Sequence, residues 1–157
     1  MKKAFELKSS NNPRIPQPVA PFYHVMPLQI RFIDIDMLGH LNNTVYLTFM
    51  DLAKAHYFND VLSGKVDWHN INVAVVNINI NYYEPTYLDS NICAITAVTR
   101  ISEHSITMEQ RIVDTNSGSL KCMATTIMAG FDVKTATSRP IAPEWRQAIE
   151  EYEGRSL

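Results

Sequence analysis

Residues 44–59 read Thr-Val-Tyr-Leu-Thr-Phe-Met-Asp-Leu-Ala-Lys-Ala-His-Tyr-Phe-Asn. No proline or glycine interrupts them, and Asn42, Asn43 and Thr44 are all competent N-caps, so the stretch predicts a helix over 44–59. Its apolar side chains cover far more than one stripe. Only Thr48, Asp51 and Lys54, three residues apart, make a narrow polar line. A helix apolar nearly all round is buried on most of its surface. In a domain this small, something has to wrap it.

The wrapper is readable downstream. Residues 73–83 alternate after Val75, with Val76, Ile78, Ile80 and Tyr82 facing one way and Asn77, Asn79 and Asn81 the other. The Asn row either lines a sheet face shared with a second subunit or faces solvent. Glu84-Pro85-Thr86 ends this strand. Residues 91–101, 105–113 and 119–133 then read as three more strands, the last two separated by the turn Asp114-Thr115-Asn116-Ser117-Gly118. Upstream of the helix, residues 29–35 look strand-like. Residues 143–152 read as a terminal helix with proline at its first turn. Strand, helix, then four strands in antiparallel succession is an α+β layer: a curved sheet of about five strands around one long central helix.

The chain has 157 residues, enough for one domain with a real core. Ser9-Ser10-Asn11-Asn12 and the prolines at 13, 16, 18 and 21 predict a flexible or extended arm over residues 1–25, with the domain proper spanning 26–157. A formal charge of -2 gives no general pull toward nucleic acid or an anionic membrane. No apolar run reaches the ~20 residues needed to span a bilayer, and the Met-Lys-Lys start lacks an apolar signal segment, so a cytoplasmic protein is expected. Cys93 and Cys122 sit among apolar neighbours and read as buried, reduced thiols. The five histidines are scattered without zinc-type spacing, so no metal site is expected, and His56 reads as a packed or partner-bonded side chain.

The chemistry is concentrated in Asp34-Ile35-Asp36-Met37-Leu38-Gly39-His40-Leu41-Asn42-Asn43, an acidic loop running into the helix. A carboxylate upstream of a helix N-terminus lies near free N–H groups and the positive end of the helix dipole. On residue type alone, Asp36 is either a base or nucleophile or a loop carboxylate that satisfies nearby N–H groups. Asp34 reads as structural. Gly39 permits a turn or a close approach of substrate. His40 orients the loop, contacts substrate or tunes Asp36. Asn42 and Asn43 suit capping as well as binding.

This loop and the order of elements resemble the hotdog-fold thioesterases, in their 4-hydroxybenzoyl-CoA thioesterase-like branch, over residues 28–143. Asn79-Ile80-Asn81-Tyr82 with Pro85, and Ala129-Gly130-Phe131-Asp132 through Ser138-Arg139-Pro140-Ile141-Ala142-Pro143, are similar to further family segments. Leu88-Asp89 departs from a common Gly-Asp, and Glu103-His104 from the Gly and Lys or Arg often found before the equivalent of Ser105. The resemblance implies an acyl-CoA or acyl-carrier-protein thioester hydrolase that needs no cofactor beyond the CoA of its substrate.

In that family the carboxylate matching Asp36 attacks the thioester carbonyl or activates water, and the backbone N–H matching Asn43 polarises the carbonyl oxygen. One such preorganised donor is worth about 100- to 1,000-fold in rate. Gly39, Asn42, Tyr46 and Asp51 are the implied substrate contacts, although Asp51 also fits a solvated helix face beside Lys54. Arg100, Lys134 and Arg139 are candidates for the phosphates of CoA. The resemblance also implies a homodimer or homotetramer. Two rivals stand on the same fold: a non-catalytic acyl-CoA binding or sensing module, and a hydratase or dehydratase pairing an Asp with a His.

Overall fold

The computed structural model describes residues 2–157. Its elements in chain order are β1 (His24–Leu28), a 3₁₀ turn (Phe32–Asp34), α1 (Asn43–Val61), β2 (Val73–Tyr82), β3 (Ile92–Ile101), β4 (Ser105–Asp114), β5 (Leu120–Asp132), β6 (Thr137–Ser138) and α2 (Pro143–Glu153). The strands form one antiparallel sheet of six, in the order β1-β3-β4-β5-β2, with β6 paired to β5. The sixth strand, two residues long, adds to the five expected. Register shifts fall at Val75/Asn77, Val98/Arg100 and Ile112/Val113, and such bulges bend the strands that carry them.

The first strand lies earlier than its sequence suggests. The pattern over residues 29–35 predicts an extended stretch, but β1 ends at Leu28 and Phe32–Asp34 curls into a 3₁₀ turn. The cause is local. The Asp34 carboxylate accepts the Arg31 backbone N–H at 2.8 Å and the Arg31 guanidinium at 2.8 and 3.2 Å. These bonds give the backbone an alternative to a strand ladder.

Helix α1 is 19 residues long, and its buried side chains are Tyr46, Phe49, Met50, Ala53, Tyr57, Phe58 and Val61. Their spacing of three, four and seven marks one stripe, not a helix enclosed all round. Leu52 is 56% exposed, so within this chain the sheet backs one side of the helix. One apolar cluster joins Tyr46, Phe49 and Met50 to Ile92, Ala94, Ile112 and Cys122, and a second joins Tyr57, Phe58 and Val61 to Val98, Met108 and Ile149 of α2. Both cysteines are buried and free; burial pushes the Cys93 thiol up to about 11 and the Cys122 thiol up to about 12.

The sheet's other face is covered by the chain's own N-terminal segment. Ala20 and Phe22 are buried there against Cys93, Ile95, Ala97, Val113 and Leu120, with Phe5, Leu7 and Ile15 packed beside them. Arg111, itself buried, pairs with Glu109 at 2.6 Å and donates a second bond to the Pro16 carbonyl at 2.8 Å. The expected domain boundary at Met26 therefore falls inside β1, and packing begins upstream of it. Gly130 meets a different constraint: a Cβ there would lie 2.0 Å from the Arg139 carbonyl oxygen, so only glycine lets the Ser138-Arg139-Pro140 segment cross β5 so closely.

This packing can be tested at two positions. Phe22→Ala should cost about 3–5 kcal/mol in chemical denaturation; a loss near zero would mean that the segment does not pack on the sheet. The second position is Glu153 of α2, which is buried and accepts the Tyr57 hydroxyl at 2.6 Å and the Val98 N–H at 2.9 Å. Burial holds its carboxyl above the usual 4.5, against the pull of those two donors. The native state thus binds this proton more tightly than the unfolded chain, and the associated stability is lost as pH rises from about 4.5 through the raised value. Glu153→Gln should remove that loss, so the variant should gain on the wild type as pH rises. A difference that does not change with pH would contradict the assignment.

Candidate active site

The acidic loop is built as a small closed unit. The Asp36 N–H donates to the His40 carbonyl at 3.1 Å, the Gly39 N–H returns to the Asp36 carbonyl at 3.0 Å, and Ile35 bridges Leu41. The reversal requires a left-handed residue, which Gly39 supplies at φ +81°. Asp34 anchors the base. Its backbone carbonyl accepts the Asn42 N–H at 2.9 Å, while the hydrogen-bonded Arg31 guanidinium holds its carboxyl below the usual range. Asp34 is thus structural, as its sequence context suggested. Asp36 is partly exposed, and its Oδ1 accepts the Leu38 N–H at 2.8 Å.

Helix α1 starts where the loop ends. Asn42 is the N-cap, and its Oδ1 accepts the Thr44 N–H at 3.0 Å and the Thr44 hydroxyl at 2.9 Å. Asn43 is then the first helical residue, and its N–H has no carbonyl within the helix to bind. One buried residue ties loop, helix and sheet together. The Thr86 carbonyl accepts the Leu41 N–H at 2.7 Å, and its Oγ1 accepts the Tyr46 hydroxyl at 2.9 Å. Tyr82 closes the other side by donating its hydroxyl to the Asn43 carbonyl at 2.9 Å, its ring edge-on to Tyr46. Burial raises both phenols, so each remains a neutral hydroxyl near pH 7.

These elements enclose an open cleft of about 490 Å³. Asp36, His40, Asn43 and Tyr46 line it, with Leu38, Leu41, Tyr82, Tyr83, Glu84 and Pro85. Four of the ten expected site residues thus share one wall, and Gly39 and Asn42 shape that wall from behind. The other four lie elsewhere in the chain. Asp51 is paired with Lys54 at 2.6 Å and rims a separate, largely apolar pocket of about 140 Å³ beside Phe58, Trp68 and Trp145. Arg100 is exposed on β3, and Lys134 and Arg139 flank β6, where Arg139 lies 3.7 Å from Asp132. Among the described residues no Lys or Arg lines the cleft; Lys121 reaches its rim by pairing with Glu84 at 3.3 Å.

Sequence reasoning misses Tyr82 and Thr86 as site residues. Tyr82 and Pro85 read there only as a strand and its turn, because their contact with the helix start is a tertiary event. Phe32, Ile33, Met37 and Leu38 are strongly exposed on the same loop, an apolar rim that alternation and periodicity do not signal. A further cluster is also absent from the sequence reading: His24 Nε2 of β1, His56 Nδ1 of α1 and Asp60 Oδ2 of α1 all lie within 4.8 Å of one another. No spacing in the sequence signals it, because the cluster joins residues 32 positions apart.

An antiparallel α+β sheet with a carboxylate loop at a helix N-terminus is the plan of the hotdog thioesterases, and the chain belongs to the Thioesterase-like superfamily, which it matches over residues 30–149. It is 28% identical over 127 residues to the long-chain acyl-CoA thioesterase FadM of Escherichia coli K12, covering 79% of this chain and 95% of that one. Among solved structures it is similar to a thioesterase from Thermus thermophilus in complex with coenzyme A and zinc (TM-score 0.77, 25% identity, 87% and 98% of the two chains). It is also similar to YbaW, a probable thioesterase from Escherichia coli (TM-score 0.70, 26% identity, 83% and 98%). A 1,4-dihydroxy-2-naphthoyl-CoA thioesterase from Synechocystis shares the fold at 17% identity, with a TM-score of 0.71 over 80% and 94% of the chains. No described helix is long and apolar enough to cross a membrane.

The Asn42 cap yields a direct test. Asn42→Ala should cost about 0.5–2 kcal/mol of stability, since it strips the acceptor from the Thr44 N–H at the helix start. Asn42→Asp, which keeps that acceptor and adds a charge favourable to the dipole, should retain stability. Equal losses in both variants, read by thermal unfolding, would mean that the cap does not hold the helix end.

Proposed function

We propose that this chain hydrolyses an acyl-CoA thioester to a free acid and CoA thiol, with the chemistry in the cleft between the acidic loop and the start of α1. The observation that carries the reading is the sharing of one cleft by Asp36, His40 and the N-terminal residue of a 19-residue helix. Attack on a thioester carbonyl builds negative charge on its oxygen. The Asn43 N–H and the helix dipole are suited to receive it, because a fixed donor needs no reorganisation as the charge develops. Asp36 serves as nucleophile, forming an acyl anhydride that water then cleaves, or as the base that deprotonates the attacking water. His40 orients the loop or contacts substrate, and Tyr46, held by Thr86, forms the cleft floor. Gly39 and Asn42 preserve the geometry of the wall.

The acyl group meets the apolar side chains around the cleft, and the likeness to FadM favours a fatty acyl chain. The phosphates of CoA need cations that the cleft does not contain. Arg100, Lys134 and Arg139 are our candidates, reached through assembly of a homodimer or homotetramer. That assembly is supported by edge strand β2, whose Val75, Val76, Ile78 and Tyr82 are all exposed in the single chain. In such an assembly α1 would gain its missing cover and act as the fold's central helix. Asp51 becomes a substrate contact only if the acyl group reaches the pocket it rims. The route needs no metal or redox group. We place the reaction in the cytoplasm, where acyl-CoA substrates are at hand.

The test is free-thiol release from a panel of short, medium, long and aromatic acyl-CoAs, with wild type and Asp36→Ala compared at equal folding. We expect turnover of at least one member, falling by about 10²–10⁴-fold in the variant. A folded variant at full rate would overturn the role of Asp36. Thermal stabilisation by one acyl-CoA without turnover would indicate a binding module. Hydration of an enoyl-CoA without thiol release would indicate the hydratase, the reading that an Asp and a His in one cleft also admits.

A further inference from the structure

Far from the cleft, three ligand-type atoms converge. His24 Nε2 lies 3.2 Å from His56 Nδ1 and 3.8 Å from Asp60 Oδ2, and the last two atoms are 3.6 Å apart. His56 and Asp60 sit one turn apart on α1, thirteen and seventeen residues beyond Asn43. At 1.5 Å per residue that is roughly 20–25 Å along the helix from the proposed chemistry. His24 is the first residue of β1 and is buried; His56 and Asp60 are about half exposed.

Hydrogen bonding does not account for this arrangement. One proton can be shared between the two imidazoles at 3.2 Å, but the Asp60 carboxylate approaches both nitrogens at distances beyond a hydrogen bond. The His24 ring has its other nitrogen, Nδ1, buried without a partner, so its polar contacts are all made by Nε2, inside the cluster. The separations fit a bridging cation instead. A circle through three atoms spaced by 3.2, 3.6 and 3.8 Å has a radius of about 2.1 Å, within the range of roughly 2.0–2.2 Å for zinc bound to imidazole and carboxylate.

We infer that His24, His56 and Asp60 form a site for a divalent transition metal of zinc type, which staples the edge strand β1 to the C-terminal half of α1. Two imidazoles and a carboxylate are the ligand class that zinc and its neighbours prefer over calcium or magnesium. Three protein ligands leave a fourth position, and the exposure of His56 and Asp60 opens it to solvent. Asp60 also rims a surface hollow of about 350 Å³ with Lys2 and Tyr152, so the carboxylate side of the cluster faces solvent. The Lys2 ammonium faces that hollow but is engaged over the Tyr152 ring, 3.2 Å from its centroid. The metal's role here is architectural: β1 hydrogen-bonds to β3 and touches α1 only through packing, at Met26 and the His24 ring on Tyr57, and the ion would add coordinate bonds to that contact.

The experiment uses the full chain, treated with chelator and titrated with Co²⁺ alone. We expect one Co²⁺ per chain with the visible absorption of a low-coordinate site, its displacement by Zn²⁺, and a rise in melting temperature with Zn²⁺. His56→Ala and Asp60→Ala, at exposed positions that leave the core intact, should each lose the absorption and the thermal shift while keeping the wild-type circular dichroism. Absence of a one-to-one Co²⁺ spectrum in the wild type, or its persistence in either variant, would overturn the assignment.

Discussion

Everything at the proposed site depends on the buried side chain and carbonyl of Thr86. Through two hydrogen bonds this residue joins the end of the acidic loop, at Leu41, to the first turn of α1, at Tyr46. The loop's own bonds close it on itself, and Thr86 ties that closed unit to the rest of the fold. The connection costs little, because it pairs groups that burial would leave unsatisfied, and an unpaired buried group costs about 1–3 kcal/mol. It also sets the direction of the helix start. Tyr46 is held by Thr86 and the Asn43 carbonyl by Tyr82, so the first turn of α1 is fixed on two sides of the cleft that Asp36 and Asn43 both line.

The sheet is protected on two unequal faces. Toward α1 it is covered by large side chains at helical spacing, as in any α+β layer. On the other face the cover comes from the chain's own N-terminal segment, fastened by Arg111. A guanidinium this buried is tolerated only when its charge and donors are met, and here Glu109 supplies the charge while the Pro16 carbonyl takes a donor. The polar pair thus specifies where an otherwise irregular segment lies. Strand β2 touches α1 through Ile80 and Tyr82 but leaves Val75, Val76 and Ile78 exposed, and at ten residues it is the longer of the sheet's two edges among the described residues, open to a partner.

The fold is legible in the sequence where side-chain period and backbone chemistry agree. Strands β2 to β5, α1 and α2 begin and end within one or two residues of the expected positions, because alternation, proline at the first turn of α2 and the glycine turn at Asn116-Ser117-Gly118 are local signals. Sequence alone misplaces β1, since the Arg31–Asp34 pairing that curls the chain is not a periodic feature. It overstates the burial of α1, because apolar content says how much surface wants cover and not whether this chain provides it. At the site, Asp36, His40, Asn43 and Tyr46 are legible because they lie in one continuous segment. Tyr82, Thr86 and the His24, His56 and Asp60 cluster are not, because only the folded sheet brings their separate elements together. The phosphate candidates Arg100, Lys134 and Arg139 rest on charge, which carries no position.

The fastening of the N-terminal segment also orders events in time. Pro16 and Arg111 are 95 residues apart in the chain, so this segment leaves a ribosome well before the strand that holds it. At roughly 5–20 residues per second, that gap lasts about 5–20 s. Through that interval Phe5, Leu7 and Phe22 have no sheet to rest on. These apolar side chains therefore stay exposed on the nascent chain until β4 and β5 have emerged and paired.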